Sequence, residues 1–171
     1  MKSVYSRFIS YSDDNKKNGN DIDNDIDFWR DTNVRYLGYA NEVGEAIGPV
    51  YKQVVRPSYV IAFGYVGCDT IDKTMNAIKT GKSNNEIMKV TVDTFIWQLF
   101  ASVLIPGKII HIVANGATEL VKKESIQKNL SPVLKKWSPT ALGLMTIPII
   151  IHPIDHFVDY CMDNTIRIWW K

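Results

Sequence analysis

Apolar positions in this chain fall into a few long runs joined by short basic connectors. The cleanest run is WSPTALGLMTIPIIIHPI, Trp137 to Ile154, with no formal charge apart from what His152 carries. As a helix, a run of that length measures about 27 Å, close to the hydrocarbon thickness of a bilayer. Pro148 inside it is costly in a soluble helix but tolerated in a membrane span, where neighbours satisfy the freed carbonyl. A second run, Val90 to Gly107, is interrupted only by Asp93. Pro106 and Gly107 predict a kink or break there, and Ile109 to Lys123 reads as a following amphipathic helix. A third run, Pro57 to Cys68, is uncharged but short. Its length fits either a buried core helix or part of a span.

Upstream, Tyr36, Tyr39, Val43 and Ile47 recur at helical spacing and form one apolar face. Beside it run Ala40, Gly44 and Gly48, small residues that let another helix approach closely, in a membrane or in a soluble core. Asp31 is a candidate cap for this helix. Gly81 and Asn84 predict a helix stop and restart. Alternating strand patterns bounded by hairpin turns are missing from the sequence, so the fold expected is all-α. The architecture that follows is a multi-pass helical membrane protein. It has about three transmembrane helices, near 50–72, 90–107 and 137–154, plus amphipathic helices. These form one helical membrane domain, 28–171, behind a polar, disordered-type N-terminal tail, 1–27.

Composition changes this picture only in part. Hydrophobic residues make up 46% and charged residues 22%, with a net charge of +2. That near-neutrality, without a basic strip carrying interleaved aromatics, excludes a nucleic-acid binder driven by backbone charge. Mean hydropathy is only -0.10, so the membrane assignment rests on local runs. Residues 1–12 hold Lys2, Arg7, several serines and no acid, which suits a short mitochondrial targeting segment. Residues 12–27 are rich in Asn and Asp and read as a solvated tail. Two basic connectors, Lys73–Lys89 and Lys122–Lys136, would lie on opposite sides of a three-span protein, so charge leaves the orientation open. Trp169 and Trp170 beside Arg167 and Lys171 look like an interfacial anchor, with a packed amphipathic helix as the alternative.

Candidate chemistry is sparse. His152, Asp155, His156 and Asp159 share one face of a helix and are N/O groups of the kind that hold zinc. The competing explanation is that Pro153 opens a new helix with Asp155 near its positive end. Asp69, Asp72 and Asp93 border apolar runs and are candidates for an ion path. Salt bridges to Arg56, Lys73 or Lys108 are the plainer expectation. Ser138 and Thr140 lack a His–Asp arrangement that would make either a nucleophile. Phosphate loops, dinucleotide fingerprints and metal-type cysteine spacings are missing from the sequence. Cys68 and Cys161 are far apart, and Cys68 in its apolar run is expected to be buried. We therefore expect no enzyme, with no catalytic, cofactor-binding or metal residues and no cofactor.

Three blocks carry a family resemblance: VRYLGYANEVGEA (Val34–Ala46), VDTFIWQLFASVLIPG (Val92–Gly107) and TALGLMTIPIIIHPID (Thr140–Asp155). Together with IDK at Ile71–Lys73, and in this order, they resemble the mitochondrial fission process protein 1 family. The likeness spans about Trp29 to Asp159 and departs from it in the tail and in Glu119–Lys136. The resemblance implies a non-catalytic, multi-pass protein of the mitochondrial inner membrane, involved in mitochondrial division and inner-membrane organisation. Its expected partners are the lipid bilayer and other inner-membrane proteins. An accessory structural subunit of a respiratory-chain or ATP synthase complex is the alternative, and an ion or metabolite transporter is a further one.

Overall fold

The computed structural model describes residues 28–123 and 131–170. The polar tail and residues 124–130 of the second basic connector lie outside the described residues. A helical turn, α1 (Phe28–Asp31), leads into a 3-10 helix over Asn33–Tyr39 and then into α2 (Ala40–Ile47). The side chain that caps this start is Thr32, which accepts from the Val34 amide at 3.2 Å. A short 3-10 turn at Lys52–Val54 precedes the long α3 (Val55–Lys79). α4 (Asn84–Gln98), a π-helical stretch over Leu99–Leu104 and α5 (Ile105–Lys122) follow. The chain closes with α6 (Pro132–Asp163) and a 3-10 turn at Ile166–Trp170. The described residues contain no strand.

Local chemistry sets the boundaries. Gly81, at φ 71°, takes the left-handed position that ends α3, and Lys82 N–H closes back on Ala77 O at 3.2 Å. Ser83 then caps α4 reciprocally with Glu86, so the stop and restart expected here are in place. Ser131 and Pro132 open α6 in the same economical way.

The prolines behave differently from expectation. Pro106 and Gly107 do not break the helix, which runs without interruption from Asn84 to Lys122. Pro106 has no N–H and would crowd the carbonyl four residues back. The widened π turn over Leu99–Leu104, just upstream, takes up that mismatch. Pro153 likewise opens no new helix, because α6 passes through Pro139, Pro148 and Pro153.

Close approaches fix how the helices run. A Cβ on Gly143 would lie 2.8 Å from the Ala46 Cβ, so α2 and α6 cross almost backbone to backbone. Arg35 reaches Asp155 at one end of this pairing, and Tyr51 packs on Trp137 at the other. Residues 35–51 therefore run antiparallel to residues 137–155. α2 is wedged among α3, α5 and α6. Its buried face is Asn41, Glu42, Gly44 and Ala46, whereas Tyr36 is 70% and Val43 39% exposed. The small-residue stripe meets the neighbouring helices, and much of the apolar face does not.

Apolar side chains such as Val66, Val103 and Ile110 fill much of the interior, and polar ones share it. Buried positions include Asp69, Lys73, Thr94, Gln98 and Ser102, while Val60, Phe63, Met145, Ile149 and Phe157 point outward. Cys68 lies on this outward face of α3, in helical phase with Ile61 and Ile71, and is exposed rather than buried. Two helices are long and apolar enough to cross a membrane, Asn84–Lys122 and Pro132–Trp169. The expected segment near 50–72 lies in α3, which is long enough, but Asp69, Asp72 and Lys73 dilute its apolar composition.

Candidate functional site

The chemistry-bearing residues gather along a polar seam inside the bundle. At its centre, Asp69 and Lys73 sit one turn apart on α3, with Nζ to Oδ1 at 3.4 Å and both side chains almost fully buried. Gln98 donates its amide to Asp69 Oδ2 across the α3–α4 contact. Ser102 in turn donates to Gln98 Oε1 at 2.6 Å, which carries the chain of contacts into the π-helical stretch. From the other side, Asn41 Nδ2 donates to Val103 O at 3.1 Å. A side chain from α2 thus reaches a carbonyl of the π-helical stretch.

Beside Asn41 stands Glu42. It is fully buried, and neither carboxyl oxygen has a hydrogen-bond partner among the described residues. Below it, Arg35 binds Asp155 at 2.7 Å and also donates to the Tyr39 hydroxyl. Near the close of the chain, Arg167 grips Asp93 with two donors at 2.6 and 2.9 Å and reaches Asp159 and Asp163 at 3.1 and 3.0 Å. With only 8% of its side chain exposed, Arg167 ties α4 to the end of α6. At the side of α2, Glu45 receives the Tyr59 hydroxyl at 3.1 Å and lies 2.7 Å from His111 Nδ1.

This arrangement divides the residues singled out by spacing. His152 and His156 are exposed, whereas Asp155 turns to Arg35 and Asp159 to Arg167. No three candidate ligands converge on a metal position among the described residues. Asp69 does pair with Lys73, as expected, but the partner of Asp93 is Arg167 rather than Lys108. Asp72 is half-buried on α3. Thr140 is buried on α6 with Ser138 close by, and neither hydroxyl has a hydrogen-bond partner among the described residues. Trp169 is 88% exposed. Arg35, Asn41, Glu42, Gln98 and the clamp at Arg167 were not marked out by motif. The available signal was a polar residue in phase with small buried ones.

The middle of the chain, residues 70–162, matches the family model described as Mitochondrial 18 KDa protein (MTP18). A Caenorhabditis elegans protein named Mitochondrial fission process protein 1 is 49% identical over 147 residues, covering 82% of this chain and 87% of that protein. The human protein of the same name is 48% identical over 147 residues, covering 82% and 86%. The chain belongs to the mitochondrial fission process protein family. A zebrafish member, from Danio rerio, is 43% identical over 148 residues, covering 83% of this chain and 87% of that protein. No solved structure matches the chain. The family match from residue 70 takes in Lys73, Asp93, Gln98, Ser102 and Asp155, whereas Arg35, Asn41, Glu42, Asp69 and Arg167 lie outside it.

Proposed function

We propose that this member of the mitochondrial fission process protein family is a multi-pass protein of the mitochondrial inner membrane that serves mitochondrial division without catalysis. The observation that carries the membrane part is the apolar outer surface. Large apolar side chains cover α3, α4, α5 and α6 on the outside, and charged and amide side chains are paired inside. Large exposed apolar patches mark membrane or protein contact surfaces. In lipid the same arrangement is the economical one, because polar side chains there face the bundle interior and pair with each other. The named relatives supply the role in mitochondrial fission.

The reading extends to the polar segment 35–51. It lies antiparallel to residues 137–155, the most apolar stretch of α6, and so traverses the same layer. Its polar residues Asn41 and Glu42 are shielded by α3, α5 and α6, while Tyr36, Leu37 and Val43 face outward. With α3 and the two long helices, this makes four crossings where hydropathy shows two. A non-catalytic role fits the paired state of three of the acids, Glu42 being a buried acid without such a partner among the described residues. Asp69, Asp93 and Asp155 are each held by a cation, as in a packing network, and this also counts against the transporter alternative.

The test joins two measurements on cells of the source organism. Alkaline carbonate should leave the protein in the mitochondrial membrane pellet, and its depletion should lengthen the mitochondrial network. Release into the supernatant would overturn the membrane reading, and an unchanged network would overturn the division reading. Co-migration at fixed ratio with a respiratory or ATP synthase complex would instead favour the accessory-subunit alternative.

A further inference from the structure

The two ends of the bundle differ in charge, and the structure shows why the sequence conceals it. One end is formed by the 49–54 loop, the start of α3, the end of α5 and the start of α6. Among the described residues it carries Lys52, Arg56, Lys122, Lys123, Lys135 and Lys136 against a single acid, Glu119. All of these cations are exposed except Lys135, which is half-buried. Among the described residues, the opposite end, residues 33–35, 79–93 and 155–167, sets five cations against five acids. The apparent balance between the two basic connectors dissolves because Lys73 is consumed inside the bundle by Asp69. The clamp on Arg167 then gathers Asp93, Asp159 and Asp163 at that same opposite end.

The cationic end also carries aromatic groups suited to a headgroup layer. Tyr51 and Trp137 lie 6.2 Å apart between ring centroids, and both are about half exposed. Lys136 Nζ stands over both rings, at 5.6 and 5.9 Å. A cation over amphipathic rings, next to outward apolar side chains such as Val133 and Leu134, matches the depth at which lipid phosphates meet acyl chains.

We infer that this end is a binding surface for anionic phospholipid headgroups, and that it seats the protein in a leaflet rich in them. The inference rests on the membrane reading above. The six cations and the Tyr51–Trp137 pair form a ring of contacts to lipid phosphates. Juxtamembrane cations attract anionic lipid with a strength that grows with each added charge and is screened by salt.

The full chain, purified in neutral detergent, is equilibrated with equal amounts of phosphatidylglycerol and phosphatidylcholine. The lipid retained after washing is then measured. Retained phosphatidylglycerol should exceed phosphatidylcholine on the order of tenfold. Combining Lys52→Gln, Arg56→Gln, Lys135→Gln and Lys136→Gln should bring the ratio close to one. Combining Lys79→Gln, Lys82→Gln and Lys89→Gln at the other end should leave it unchanged. High salt should reduce the wild-type ratio. Equal retention of the two lipids, or the same ratio in both variants, overturns the inference. Helical circular dichroism of each variant shows that it is folded. Carbonate extraction on the source membranes separates the two readings. Release there defeats the membrane reading, whereas a pelleted protein without lipid preference defeats this inference alone.

Discussion

Glu42 is fully buried, yet nothing among the described residues donates to either carboxyl oxygen. A buried polar group without a partner costs about 1–3 kcal/mol. Glu42→Leu, of similar volume, should therefore raise stability by about that amount, read as a higher thermal midpoint of the purified protein in detergent. A lower midpoint would show that the carboxyl is held by something in the native protein. Its neighbour behaves oppositely. Asn41 Nδ2 donates to Val103 O, although its Oδ1 has no hydrogen-bond partner among the described residues, so Asn41→Leu loses one hydrogen bond and should cost about 1 kcal/mol in the same assay. Arg167 is the third test at this scale. Removing it leaves Asp93, Asp159 and Asp163 facing one another, and Arg167→Ala should cost about 3 kcal/mol. Asp163 is half exposed, and Asp163→Ala should cost less than about 1 kcal/mol.

Among the helices, glycine positions separate contact from vacancy. A Cβ on Gly44 would sit 1.8 Å from Ser58 Oγ and 2.6 Å from its Cβ, so Gly44→Ala forces α2 and α3 apart. Overpacking of this kind costs about 1–3 kcal/mol, measured as a lower unfolding midpoint. Gly64 on the outer face of α3 meets nothing within 4 Å, and Gly64→Ala should be neutral or gain up to about 1 kcal/mol from helix propensity. The stripe Ala40, Gly44, Gly48 was legible because close approach needs small residues at a fixed spacing. The stop at Gly81 was legible too, because left-handed backbone has few alternatives. The apolar face of Tyr36 and Val43 misled, since periodicity shows which residues share a face but not whether the face meets lipid or protein. The same ambiguity placed Cys68 inside. The π turn left no local mark, because it answers a proline that follows it. Partners such as Arg167 for Asp93 lie 74 positions apart, and only the folded bundle brings them together.

At the scale of the whole molecule, the four crossings proposed above would alternate. Residues 35–51 run from the Asp155 level to Trp137, α3 returns, α4 and α5 run up again, and α6 returns. Four crossings would put Asn33 and Asn164 on one side of the membrane, with Lys52 and Lys136 on the other. Hydropathy conceals the first crossing, because a segment shielded on several sides can carry Asn41 and Glu42 where a lipid-facing one cannot. Single cysteines at these four exposed positions, in a chain whose Cys68 and Cys161 are changed to Ser, should divide into two classes. In sealed vesicles, a charged maleimide that does not cross the bilayer should label Asn33→Cys and Asn164→Cys together, or Lys52→Cys and Lys136→Cys together. After detergent lysis it should label all four. Labelling of Asn33→Cys with Lys52→Cys but without Asn164→Cys would mean that residues 35–51 stay on one face, and three crossings would remain. If all four positions are labelled before lysis, the bundle does not span at all, and its outward apolar faces need a protein partner instead of lipid.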